Sequence, residues 1–195
     1  DVNYPVSQIV YNGYNQDPRL KTSFPHLSLF ESGRYGRKTG QGTYAYDDKG
    51  QATSDEMADF ASDASPAKTI CLPRDDVAAQ GFFGAIDCKV VYGDDGDSPI
   101  VAALLGEDCT TYVLRTGADF RRLVAIDLQG DPTKRVTLMT APGADPAYLA
   151  AVAAAITGSG RAVTAIHDSP GFISQRIRAM VANLGCEMAQ IGIAE

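Results

Sequence analysis

Between Val136 and Ile166 the hydrophobic period of the chain changes twice, and few folds accommodate that change. Val136 to Thr140 is an apolar, β-branched run, and Asp145-Pro146 then supplies the cap and first-turn proline of an alanine-rich helix carrying Leu149, Val152 and Ile156. Gly158-Ser159-Gly160 ends it, and Ala162 to Ile166 returns to an extended pattern. Two strands joined by a helix of this length are parallel neighbours, because a short turn cannot bring a chain back to the same edge. The segment therefore predicts an α/β fold.

Upstream, further extended runs are predicted at Thr69 to Leu72, Lys89 to Tyr92, Thr111 to Arg115 and Leu123 to Asp127, each bounded by Gly, Asp or Pro. Val77 to Ile86 and roughly Pro99 to Leu105 are read as helices. Only six residues separate Leu128 from Arg135, too few for a helical crossover, so the sheet is expected to be small and partly parallel, with the doubly wound pattern incomplete there. Residues 47–66 are rich in Asp, Ser, Ala and Gly, with only Met57 and Phe60 as larger apolar groups, and read as a linker with at most one helical turn.

Before that linker the apolar residues Val6, Ile9, Val10 and Tyr14 keep helical spacing behind Asn3, which is read as the cap, and Pro5. Ser23-Phe24-Pro25 opens a second helix that Ser32-Gly33 closes. At the other end Ile173, Ile177, Met180, Val181, Leu184, Met188 and Ile191 follow the spacing of one helix face, with Gln175, Arg178, Glu187 and Gln190 largely elsewhere. The chain starts at Asp1 without Met and stops at Glu195 directly after this amphipathic run, so a piece of a longer polypeptide is expected.

The function classes narrow with composition. A formal charge of -7 argues against nucleic-acid and anionic-membrane binding, although local basic pairs such as Arg37-Lys38, Arg121-Arg122 and Lys134-Arg135 could still meet phosphates. Cys71, Cys88, Cys109 and Cys186 form no CxxC pair and read as reduced thiols of a cytoplasmic protein. No apolar stretch is long enough to span a bilayer. His26 and His167 have no thiol or carboxylate at metal-ligand spacing, so no metal site is expected, and both read as packing or surface residues.

Gly36-Arg37-Lys38-Thr39 is not a P-loop, since Arg37 separates the glycine from the lysine and Glu31 stands where the first glycine belongs. No G-x-G-x-x-G follows any predicted strand, and Gly143 stands alone after Val136 to Thr140, so no dinucleotide cradle is expected in this chain.

Two segments carry a family resemblance. Gly33-Arg34-Tyr35-Gly36-Arg37-Lys38-Thr39-Gly40-Gln41-Gly42-Thr43-Tyr44-Ala45-Tyr46 resembles the signature that closes the helical C-terminal domain of 3-hydroxyacyl-CoA dehydrogenases, with Thr43 where Phe is usual. Asp168-Ser169-Pro170-Gly171-Phe172-Ile173-Ser174-Gln175-Arg176 resembles the signature that opens the same domain. A closing signature thus precedes an opening one, as at the junction of two tandem helical domains in long, two-copy 3-hydroxybutyryl-CoA dehydrogenases.

The resemblance implies the end of a first helical domain at residues 1–48, a linker at 49–67, a small reduced Rossmann-like β-α-β domain at 68–167 and the opening helix of a second helical domain at 168–195, both helical pieces resembling the 6-phosphogluconate-dehydrogenase C-terminal type. It implies a parent enzyme that oxidises a 3-hydroxyacyl-CoA with NAD in fatty-acid or aromatic-acid degradation, as a homodimer, its histidine–glutamate pair and NAD site lying outside this chain. Gln175 stands where the family has an asparagine near the reacting oxygen; being one methylene longer, it is read as a degenerate catalytic counterpart. Arg37 and Lys38 are the candidate contacts to the CoA phosphates. Two other readings compete: a purely structural and oligomerisation module, and a regulatory pocket for a small nucleotide.

Overall fold

The computed structural model describes residues 2–53, 60 and 63–192, and the chain divides into two compact units, Asp1–Met57 and Ala58–Glu195. The expected helical turn of the linker falls mainly on residues 54–59, which lie outside the described residues.

The first unit holds α1 (Asn3–Gly13), a 3₁₀ turn at Pro18–Leu20, α2 (Phe24–Glu31) and a second 3₁₀ turn at Arg37–Thr39. Asn3 does not cap α1 as expected. The helix starts one residue earlier than the sequence suggests, Val2 takes the cap position, and Ser7 Oγ donates to the Asn3 carbonyl at 2.8 Å. α1 and α2 meet through stacked rings, Tyr4 against Phe30 at 5.0 Å, with His26 edge-on to Tyr4 at 5.4 Å. None of the described residues of this unit is fully buried, so it has no closed core of its own.

The second unit is a six-stranded sheet with helices on both faces. In chain order it runs β1 (Thr69–Leu72), α3 (Val77–Phe83), β2 (Lys89–Tyr92), β3 (Ile100–Ala103), α4 (Cys109–Thr116), β4 (Leu123–Asp127), β5 (Arg135–Thr140), α5 (Pro146–Thr157), β6 (Ala162–His167) and α6 (Ile173–Gln190). The strand order is β2-β1-β3-β4-β5-β6. β1 to β4 are parallel, β5 runs antiparallel to β4 because the connection before it is too short for a crossover, and β6 is parallel to β5 across α5.

Two expectations fail and offset each other. Pro99 to Leu105 is not a helix: Ile100–Ala103 is β3, in mid-sheet, with Ile100, Val101 and Ala102 buried. A strand covered on both faces reads as an unbroken apolar run, which periodicity cannot tell from a buried helix. Thr111 to Arg115 is not a strand either but the body of α4, despite its β-branched residues. Asp108 caps that helix by accepting from Thr111 N at 2.6 Å, and Gly117 ends it in the left-handed region at φ 72°.

Alternation along the strands builds two cores. Ile70, Leu72, Val101, Val124, Ile126, Val136 and Leu138 face α3 and α5, where Phe83, Val152 and Ile156 meet them. Cys71, Ile100, Ala102, Leu123, Ala125 and Met139 face the other way, against Cys109 and Phe172. Each large side chain removed from water in these layers stabilises the unit by about 1.5–3 kcal/mol.

One buried cation ties the β3 and β4 starts together. Arg122 donates to Asp94 at 2.7 Å, to Asp119 at 3.0 Å and to the Ser98 carbonyl at 2.9 Å. Its hydrogen bonds hold the Asp94 and Asp119 carboxyls below the ordinary range. Depressed folded values mean stability that is present above the unfolded pKa of about 4 and lost as pH falls through the folded values. The gap in urea midpoint between wild type and Arg122→Met is therefore expected to be constant above about pH 5 and to shrink below about pH 4. A gap independent of pH would show that Arg122 acts through packing alone.

Candidate functional site

Parallel α/β sheets place ligands beyond the carboxyl ends of strands where the strand order reverses. Here β1 leads to β2 on one side and has β3 on the other, and a cleft of about 570 Å³ opens at that point. Asp75, Asp76, Leu104, Glu107, Tyr112 and Arg115 line it. Arg115 pairs with Glu107 at 2.8 Å and lies 5.3 Å from the centre of the Tyr112 ring. Burial pushes the Tyr112 phenol up.

The residues of this cleft do not fit a dinucleotide. The turn after β1 reads Pro73-Arg74-Asp75-Asp76, with no glycine to let a backbone approach pyrophosphate. The Asp76 carboxylate accepts from Ala79 N of α3 at 2.9 Å and from Ala103 N of β3 at 2.6 Å, so an internal anion already occupies one amide of the α3 first turn. Asp75 and Glu107 add further negative charge to the lining.

On the opposite face the motif Asp168 to Arg176 runs back over the sheet. Phe172 is fully buried beside Leu104, Cys109 and Met139. Asp168 accepts from Cys109 N at 2.7 Å, from Thr110 N at 3.1 Å and from Thr110 Oγ1 at 2.6 Å, so it shares the capping of α4 with Asp108. The Gln175 amide is buried and committed at both ends: Nε2 donates to the Leu104 carbonyl at 2.8 Å and to Asp127 at 3.1 Å, and Oε1 accepts from Gly106 N at 2.8 Å. Asp127 points to this face because it is in phase with Leu123 and Ala125, and it also accepts from Ser174 Oγ and Gln129 N.

Arg37 and Lys38 lie in the first unit, Gln175 in the second. Both basic side chains are exposed on a 3₁₀ turn between Gly36 and Gly40, which have φ of 76° and 70°. The neighbouring cavity, about 180 Å³, is lined by Arg34 rather than by either of them, together with Tyr4, His26, Phe30 and Tyr46. His167 is exposed at the end of β6.

Sequence reading missed Asp76, Asp127 and Arg34. Only Asp76 left a signal, an acidic residue at a cap position just ahead of the predicted helix at Val77. Cys71 and Cys109 are buried, and burial raises both thiols, Cys109 the more strongly with Asp168 beside it. Cys71, Asp94 and Asp95 come together, but Asp94 is paired with Arg122 and Asp95 caps Asp97 N and Ser98 N.

These features define a mixed α/β protein with a Rossmann-like unit whose strand-end cleft is acidic. No family model matches the chain, and no curated protein matches it. Among solved structures, 3-hydroxybutyryl-CoA dehydrogenase from Escherichia coli K12 substr. MG1655 is similar, with a TM-score of 0.69 and 24% identity over 100% of this chain and 36% of that one. The chain thus spans about a third of the length of that protein, and at this identity the likeness is one of fold. Among the described residues no helix is long and apolar enough to cross a membrane.

Proposed function

We propose that the chain is part of an NAD-dependent 3-hydroxyacyl-CoA dehydrogenase of the two-copy 3-hydroxybutyryl-CoA type, oxidising the 3-hydroxyl to a ketone, and that it carries no redox chemistry itself. The observation that carries this reading is the order of the two signatures, closing before opening, on a chain whose whole length matches the fold of a solved 3-hydroxybutyryl-CoA dehydrogenase. The glycine-free turn after β1 and the Asp76 carboxylate seated between Ala79 N of α3 and Ala103 N of β3 support placing NAD and the catalytic histidine–glutamate pair elsewhere in the parent enzyme. A cytoplasmic homodimer belongs to the same reading, and the exposed stripe of Ile177, Val181 and Leu184 on α6 supports a covered face in the assembly.

In this reading the chain's work is to position. Arg37 and Lys38 offer exposed cations suited to CoA phosphates, and Gln175 is a framework group. Purified alone, the chain is expected to show no turnover of acetoacetyl-CoA with NADH, measured at 340 nm; turnover at an enzyme-like rate would overturn the placement of the chemistry. Calorimetric titration with CoA tests the substrate contact, with binding weakened by Arg37→Glu or Lys38→Glu. The structural-module reading gains from the engagement of both ends of the Gln175 amide, and CoA binding that ignores both charge reversals, or no binding, would favour it.

A further inference from the structure

The cleft and α6 share one wall. The β3–α4 loop, residues 104–108, lines the cleft with Leu104, Leu105 and Glu107, and Asp76 holds its start through Ala103 N at 2.6 Å. From the other side the same loop and the first turn of α4 are held by the base of α6 and the segment before it. The Leu104 carbonyl and Gly106 N bond Gln175, the Glu107 carbonyl accepts from Gly171 N at 3.4 Å, and Cys109 N and Thr110 N bond Asp168.

The contact is confined to that base. Within α6 only Gln175 is buried, while Ile177, Met180, Val181 and Leu184 are exposed. The helix therefore meets the α/β unit through its first turn alone, and a small number of hydrogen bonds plus Phe172 connect it to the loop. Gly106 and Gly171 supply the left-handed backbone of the two turns that meet there, with φ of 70° and 69°.

We propose that Asp127, Asp168 and Gln175 form a clasp through which the base of α6 governs the order of the cleft wall, so that the β3–α4 loop and the first turn of α4 open as one piece when the clasp is undone. The length of Gln175 is what makes the clasp. Its single amide spans Leu104, Gly106 and Asp127, and an asparagine, shorter by about 1.5 Å, cannot satisfy all three from the same backbone position. The clasp stands whether or not the dehydrogenase reading holds, because it rests on contacts within this chain.

Hydrogen exchange of the 195-residue chain tests it, comparing wild type with Gln175→Asn and Asp168→Asn. Protection of the peptide covering 104–112 is expected to fall about tenfold or more in each variant, together with that covering 172–176, while β5 and β6 keep theirs. Unchanged exchange at 104–112 overturns the clasp. So does an even loss over the whole sheet, which would make these ordinary stability contacts. Should Asp168→Asn not fold, Gln175→Asn, which keeps an amide in place, carries the test alone.

Discussion

Phe172→Ala lowers the stability of the α/β unit by about 3–5 kcal/mol, seen as a fall in urea midpoint with little change in slope. The ring is fully buried in one cluster with Cys71, Ile100, Leu104, Cys109, Leu123 and Met139, and all of these but Leu104 come from strands and a helix that cannot collapse onto the space it leaves. Domains of this size hold only about 5–15 kcal/mol in all, so the variant sits near the edge of folding. Ile177→Ala, one turn further along α6 and exposed, should change the midpoint by no more than about 0.5 kcal/mol. Equal midpoints for wild type and Phe172→Ala would mean that the Pro170-Gly171-Phe172 motif does not anchor α6 to the sheet.

Gly42→Ala disrupts the basic turn of the first unit at a cost of about 3 kcal/mol, the upper end for overpacking. A Cβ there would lie 2.8 Å from Gly36 Cα and 2.9 Å from Gly36 N, backbone atoms that cannot step aside without breaking the Gly36 N to Gln41 O bond of 2.9 Å. Because no described residue of that unit is fully buried, little packing offsets the clash. Amide chemical shifts from Arg34 to Tyr46 are expected to collapse towards unfolded values. Gly13→Ala, with nothing within 4 Å of its Cβ, is the control that leaves them in place. Retained shifts in Gly42→Ala would show that this turn tolerates a side chain and that its glycines serve something other than close backbone approach.

Both experiments concern motifs that were recognisable as strings, and both derive their size from contacts that the strings do not contain. Gln175 shows the difference most plainly. Its place in the opening signature is visible in the residues around it, but its partners Leu104, Gly106 and Asp127 are 71, 69 and 48 positions away. No local pattern reports that separation. Arg122 is similar: in sequence it belongs to a basic pair that could meet phosphates, yet it is buried on Asp94, 28 positions distant, and on Asp119.

Secondary structure divides along the same line. The strands at Thr69–Leu72, Lys89–Tyr92 and Leu123–Asp127 and the α5 unit are local, since each is bounded by its own turn or cap residues and needs no partner to be recognised. The antiparallel placement of β5 was also legible, because a six-residue connection excludes a crossover. Ile100–Ala103 and Cys109–Thr116 were exchanged in kind because the first is buried on both faces and the second, although capped locally by Asp108 and Gly117, carries the β-branched residues Thr110, Thr111 and Val113 that read as a strand.

The amino-acid order by itself determined the α/β class, the five strand positions that carry their own punctuation, and the two segments that carry the family resemblance. Only the tertiary structure decided that the strand-end cleft is acidic and that Asp76 bridges Ala79 N and Ala103 N in it, that Phe172 is a core residue, and that Gln175 binds main chain on a distant loop. The physical reason is range. Periodicity and capping act over a few residues and are written in sequence, whereas charge in a cleft and satisfaction of a buried amide depend on which strands the sheet sets side by side.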